Sequence, residues 1–156
     1  MYGFSYSLDY VCSLNILEGA GIDVYGETPE GIRIHAFLNG GSVSGDRICG
    51  IIRSVGGSGF SIFRTDDICD IDLRMCLQMH DDALIYLRYG GVLDLGPGGV
   101  QKMLAGEMRG RLPIRTAPRM VTSDSRYAWV NRKQFVGVGE IDIDANVVQY
   151  DLYAFN

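Results

Sequence analysis

Histidine, tryptophan and proline are scarce in this 156-residue sequence, at two, one and four residues. Two histidines with scattered carboxylates show no ligand spacing, so a metal centre is not expected. Cys12, Cys49, Cys69 and Cys76 form no CxxC pair, which removes a structural zinc site and a thioredoxin-like motif. No run of ~18 apolar residues exists to span a membrane as a helix. The N-terminal stretch has no basic segment of the secretory type. Reduced cysteines and a cytoplasmic location are therefore expected, with no membrane partner. Basic residues are outnumbered, 14 against 19 acidic ones, for a formal charge of -5. A nucleic-acid partner would need a net basic face, so none is expected. Serine and cysteine occupy no nucleophile elbow. The glycines of "GGVLDLGPGG" lack the Lys-Ser/Thr of a phosphate loop.

Glycine is abundant instead, with 21 residues, many of them between short alternating segments. A chain of this size and 47% hydrophobic content is expected to form a single domain over residues 1–156 with a substantial core. The segments "FSYSLDYV", "GIRIHAFL", "DRICGIIRSV", "DIDLRMCLQMH", "ALIYLRY", "IRTAPRMVT", "YAWVNRKQFVGVGEIDI" and "NVVQYDLYAF" read as strands. The segment beginning at Tyr127 is expected to bend or break near Gln134, and Gly137 and Gly139 suit a bulge or a tight wall. One helix is expected in "GGVQKMLAGEMRG", where Val100, Met103, Leu104 and Met108 recur at helical spacing. "SLNILEGAG" is read as a possible further helical turn. Strands without βαβ alternation exclude a Rossmann fold and favour an antiparallel barrel or a sandwich.

Several longer pieces carry a family resemblance: "GETPEGIRIHAFLNGGSVSG", "DIDLRMCLQMHDDALIYLRYGGV", "RTAPRMVTSDSRYAWVN" and "FVGVGE". Together they resemble the domain-of-unknown-function 3237 family over most of the chain. Asp72 and Arg74 match a spaced Asp/Arg pair of that family, Asp81 to Ala83 a turn, and Tyr127, Trp129 and Asn131 an aromatic run ending in asparagine. Gly59 stands where the family commonly has aspartate, and Met120 and Val121 replace a Phe-Glu pair. The resemblance implies an all-β protein, a closed antiparallel barrel of calycin-like shape. About eight to ten strands and one short helix are expected. It also implies cofactor-free isomerisation or cyclisation in natural-product metabolism, including oxa-Michael ring closure.

Two arrangements follow for the strand Ile71–His80. Asp72 and Arg74 share a face, either inside the barrel mouth, where Arg74 binds a carbonyl or phenolate oxygen and Asp72 moves a proton, or outside as a solvated pair. His35 is a further acid–base candidate, and Tyr127 a partner of Arg74 in stabilising an oxyanion. Trp129 and Asn131, with Tyr86 and Arg88, are candidates for the wall of a flat aromatic ligand, and His80 for the rim. His80-Asp81-Asp82 itself reads as a hairpin connection, with Asp82 tolerating a left-handed backbone. The expected partners are a small hydrophobic or aromatic substrate and, because apolar outer strands need cover, a second copy of the chain. No cofactor is expected. The alternative function is a barrel that binds a small molecule, or serves as an accessory subunit, without chemistry.

Overall fold

The computed structural model describes residues 2–156, apart from the side chain of Ala20. Alternation of apolar and polar residues becomes nine antiparallel strands. They are β1 (Leu8–Thr28), β2 (Gly31–Ser44), β3 (Gly50–Ile52), β4 (Ser58–Phe63), β5 (Ile68–Met79), β6 (Leu84–Asp94), β7 (Arg111–Val121), β8 (Phe135–Asp142) and β9 (Val147–Phe155). The sheet runs β1-β9-β8-β7-β6-β5, and β5 returns to β2 through two short strands that share one place. β4 pairs with β5 from Arg74 back to Cys69, and β3 pairs with it from Leu77 to Met79. β2 then pairs with β1 and closes the ring, so nine strands occupy eight positions around a barrel. Closure, rather than a sandwich, leaves few unpaired edges.

The barrel interior is divided in two. Its lower half is packed solid by Leu14, Ile16, Met75, Leu77, Ile85, Leu87, Met120, Phe135 and Leu152, all below 2% exposed. A 3-10 helix, Ser125–Arg132, plugs that end through the fully buried Val130. The opposite end is crossed by the short helix α1 (Gly99–Leu104). Asp67, at φ 62, holds this helix: its carboxylate accepts hydrogen bonds from the backbone N–H of Gly98 (2.8 Å) and Val100 (3.1 Å).

The alternation misleads at three places. "YAWVN" forms the 3-10 helix rather than a strand, started by Asp124, whose side chain accepts the Arg126 N–H. The expected break near Gln134 is present, because β8 begins at Phe135. "SLNILEGAG" continues β1 instead of making a helical turn, since Leu14 and Ile16 alternate into the core. β1 begins only at Leu8; Tyr2, Phe4 and Tyr6 precede it as exposed side chains. Gly137 and Gly139 do build a tight wall: a Cβ at these positions would lie 2.3 Å from Thr116 Oγ1 and 2.0 Å from the Gln149 carbonyl oxygen.

Candidate functional site

The pocket begins where β1 parts from β9. Their pairing runs to Leu17↔Val147, and the Glu18 N–H then donates to the Asn146 carbonyl at 3.0 Å. Beyond that rung β1 keeps only β2 as its neighbour. Between Glu18↔Leu38 and Ile22↔Ala36, β1 advances four residues while β2 advances two, so two extra residues bulge outward. Gly19 permits the crossing, because a Cβ there would sit 2.9 Å from the Phe37 Cβ. Bulges of this kind re-aim side chains at barrel rims.

Just before this bulge, Glu18 continues the inward alternation of Leu14 and Ile16. It enters a cavity of about 300 Å³ in the α1 half of the barrel, walled by residues such as Ile34, Ile71, Leu73, Leu93, Ile114 and Val148. Exposed lining residues, among them Ile22, Phe37, Gly106 and Asn146, form its mouth. Burial in this apolar wall raises the Glu18 carboxyl above its ordinary value. Tyr89 lines the same space, with its ring edge-on to Tyr150 at 5.6 Å between centroids. Burial, followed by the nearby Glu18 charge, pushes the Tyr89 phenol far above its usual value, so it stays an O–H donor. The Cys69 thiol, also in the wall, is pushed up to about 12 by burial, against a smaller opposing effect of the Ser61 hydroxyl. It is therefore no nucleophile at neutral pH. One carboxyl that gains and loses a proton, and one phenol that keeps its own, face a shaped and mainly apolar cavity. That combination can move a proton and hold a developing oxyanion.

The residues expected in this role lie elsewhere. On β5, Leu73, Met75, Leu77 and Met79 point inward, so Asp72 and Arg74 stand on the outer wall, about half exposed and 3.2 Å apart. Their placement in the barrel mouth is corrected, because the apolar face of this strand fills the interior. Arg88 and Tyr86 are likewise external on β6; Arg88 is flanked in register by Arg74 and Arg119. His35 lies on the outer face of β2, stacked on Phe60 (4.4 Å between centroids, 6° between planes) and 4.0 Å from Asp23. It does not line the cavity. Arg74→Ala is accordingly expected to leave turnover unchanged and to cost no more than ~1 kcal/mol of stability, measured by chemical denaturation.

Tyr127, Trp129 and Asn131 belong to the plug at the other end. The Tyr127 hydroxyl donates to Asp81 at 2.9 Å, and Arg47 lies over the Trp129 ring at 3.7 Å. Asn131 clasps the backbone of Thr122, accepting its N–H (2.9 Å) and donating to its carbonyl (2.8 Å). They do not line the cavity, and the half-barrel beneath them is packed. Asn131→Ala should cost about 1–3 kcal/mol in unfolding free energy by stripping both partners from Thr122. His80 is exposed in the turn between β5 and β6, with Asp82 at φ 65 as the hairpin reading requires. It too lies away from the cavity. Among the described residues no group of three or more His, Cys, Asp or Glu side chains could hold a metal ion. No helix among them is long and apolar enough to cross a membrane.

Glu18 gave no motif in the sequence. Its one local signal is that a carboxylate occupies an inward position, two residues after Ile16, just before a Gly-Ala-Gly step. Gly59 also faces the cavity, so the carboxylate that the resemblance would place there is absent and the space is open.

Comparison with known proteins agrees with this architecture. A UPF0311 protein of Rhodopseudomonas palustris is 29% identical over 126 residues, covering 79% of this chain and 81% of its own. The crystal structure of a conserved protein of unknown function from the same species superposes with a TM-score of 0.84 at 25% identity, covering 99% of this chain and all of the other. A β-barrel-like protein of Acinetobacter baumannii superposes at 0.83 with 22% identity, covering 99% of each. The structure of an enzyme from Penicillium herquei does so at 0.69 with 19% identity over 98% of each chain, a likeness of fold. The family model described as a protein of unknown function, DUF3237, matches residues 6–155, and the chain belongs to that family.

Proposed function

We propose that this barrel is a cofactor-independent isomerase or cyclase, or a lyase of the same acid–base type, for an oxygenated hydrophobic or aromatic metabolite. Glu18 is its proton carrier. The observation that carries this reading is the Glu18 carboxyl, held inward on β1 beside a two-residue bulge, in the wall of an otherwise apolar cavity. A packed barrel with no chemical role gains nothing from burying an acid there, because desolvating it costs stability. The Penicillium herquei barrel, described as an enzyme, shares the fold.

An oxa-Michael closure illustrates the work. The Glu18 carboxylate takes the proton of a substrate hydroxyl. The oxygen attacks the β-carbon of an enone, forming the C–O bond; the C=C pair shifts to join the α-carbon to the carbonyl carbon, and the C=O π pair moves onto the oxygen. The Tyr89 O–H donates to that enolate oxygen, and Glu18 returns its proton to the α-carbon. Mass is conserved, and the cavity contributes proximity and an apolar wall.

The test is a panel of phenolic enones, followed by chiral chromatography for conversion at constant mass. One enantiomer should form in excess over the uncatalysed racemate. Tyr89→Phe should lower the rate about 10²–10³-fold. Binding without conversion across the panel would replace this reading with the carrier alternative.

A further inference from the structure

We infer that the cavity is charge-selective: its ligands are compact and uncharged, and carboxylated or phosphorylated molecules of the same shape are excluded by Glu18. The inference rests on the cavity and on Glu18 as its acid–base group, but it concerns binding and does not require turnover.

Three observations support it. Among the described residues Glu18 is the only Asp, Glu, Lys, Arg or His in the lining, so no cationic side chain among them receives an anionic ligand there. The two other titratable lining groups, the Tyr89 phenol and the Cys69 thiol, stay neutral at physiological pH, so neither changes this balance. The remaining wall is aliphatic or aromatic apart from Ser61, Asn146 and backbone. A carboxylate brought against Glu18 in such a wall has only two routes. Two like charges must share a poorly screened site, or one must first take up a proton, and either route weakens binding. A neutral ligand with a hydroxyl or carbonyl meets no such penalty and finds hydrogen-bonding groups in Glu18 and Tyr89. The volume of about 300 Å³ lies at the small end of ligand pockets and suits a compact ring system.

The same features predict the pH dependence. An anion enters with uptake of a proton, so its affinity should rise as pH falls, whereas that of a neutral ligand should change little. The other charges near the mouth do not reverse this: Asp23 is acidic and exposed, and His35 beside it lies on the outer wall.

Two fluorescent probes of nearly equal shape decide the matter, 2-naphthol and 2-naphthoate, titrated into the full chain at pH 7.5. The expected result is measurable 2-naphthol binding, with 2-naphthoate weaker by about tenfold or more. Glu18→Gln should shrink that gap to within about threefold by strengthening 2-naphthoate, since it removes the charge and keeps the shape. Gly59→Phe is the occupancy control. A Cβ there meets only ordinary contacts at 3.7–3.8 Å, so a ring can fill the cavity and should abolish 2-naphthol binding.

Equal or tighter 2-naphthoate binding overturns the inference. So does an unchanged gap in Glu18→Gln, retained 2-naphthol binding in folded Gly59→Phe, or no 2-naphthol binding to the parent chain. Circular dichroism establishes that each variant is folded. Absence of enone conversion would instead remove the enzymatic proposal and leave this binding preference standing.

Discussion

Replacing Glu18 with glutamine is expected to remove turnover while making the protein more stable at neutral pH. The amide keeps the size of the side chain and loses its ability to carry a proton. A general acid–base contribution of about 10²–10⁴-fold should therefore disappear from the rate. Stability moves the other way because burial raises the Glu18 carboxyl above its ordinary 4.5. The folded protein then binds this proton more tightly than the unfolded chain does. Between 4.5 and the raised folded value the native state carries more protons, so stability falls as pH rises through that window. Above it the full penalty of a buried carboxylate remains. Glutamine carries no such penalty, so Glu18→Gln should have the higher midpoint in urea at pH 7.5, and the difference should shrink toward pH 4. With Glu18 as base, the parent rate should rise with pH through an inflection above 4.5, and the variant should lose that limb. A variant less stable than the parent at every pH would show that the carboxylate is structurally satisfied and not held in readiness.

The second large effect contrasts two leucines on one strand. Leu77 is fully buried in the packed half, and Leu73, also inward on β5, borders the cavity. Leu77→Ala should destabilise the barrel by about 3–5 kcal/mol, the upper part of the range for a methyl-rich side chain deleted from a rigid core. Leu73→Ala should cost about 1–2 kcal/mol less, because one side of that residue already faces empty space and has fewer contacts to lose. The same change should enlarge the cavity and admit bulkier neutral ligands. Paired urea melts with a binding titration measure both. Equal costs would mean that the cavity is closed by relaxation in solution.

Periodicity served well wherever one strand face had to be buried. The inward face of β5, the hairpin at Asp82 and the presence of α1 follow from local pattern and turn chemistry. The external placement of Asp72 and Arg74 is one of two arrangements that pattern leaves open, and the inward burial of Leu73, Met75, Leu77 and Met79 decides it. The aromatic run Tyr127–Asn131 failed for a physical reason. Alternation over five residues does not separate a strand from a 3-10 turn, and the deciding feature is the Asp124 cap together with the packing of Val130 in the barrel end. Glu18 was invisible for a different reason. It lies in a stretch with no catalytic spacing, and although alternation after Ile16 carries it inward, that it meets a hollow and not packed core depends on where β1 parts from β9 and bulges against β2.

The alternating composition, the glycine spacing and the lack of βαβ order thus determined an all-β antiparallel chain with one short helix. Its resemblance to the family added the closed barrel. Local preferences and the burial of one face per strand are enough for that much, since both are written residue by residue. Which half of the barrel is solid, which half is hollow, and which carboxyl faces the hollow were decided only by tertiary structure. These depend on register between distant strands, on a bulge counted across two of them, and on where a 3-10 helix and α1 come to rest at the two ends. Such quantities belong to pairs of segments, and no single stretch of sequence contains them.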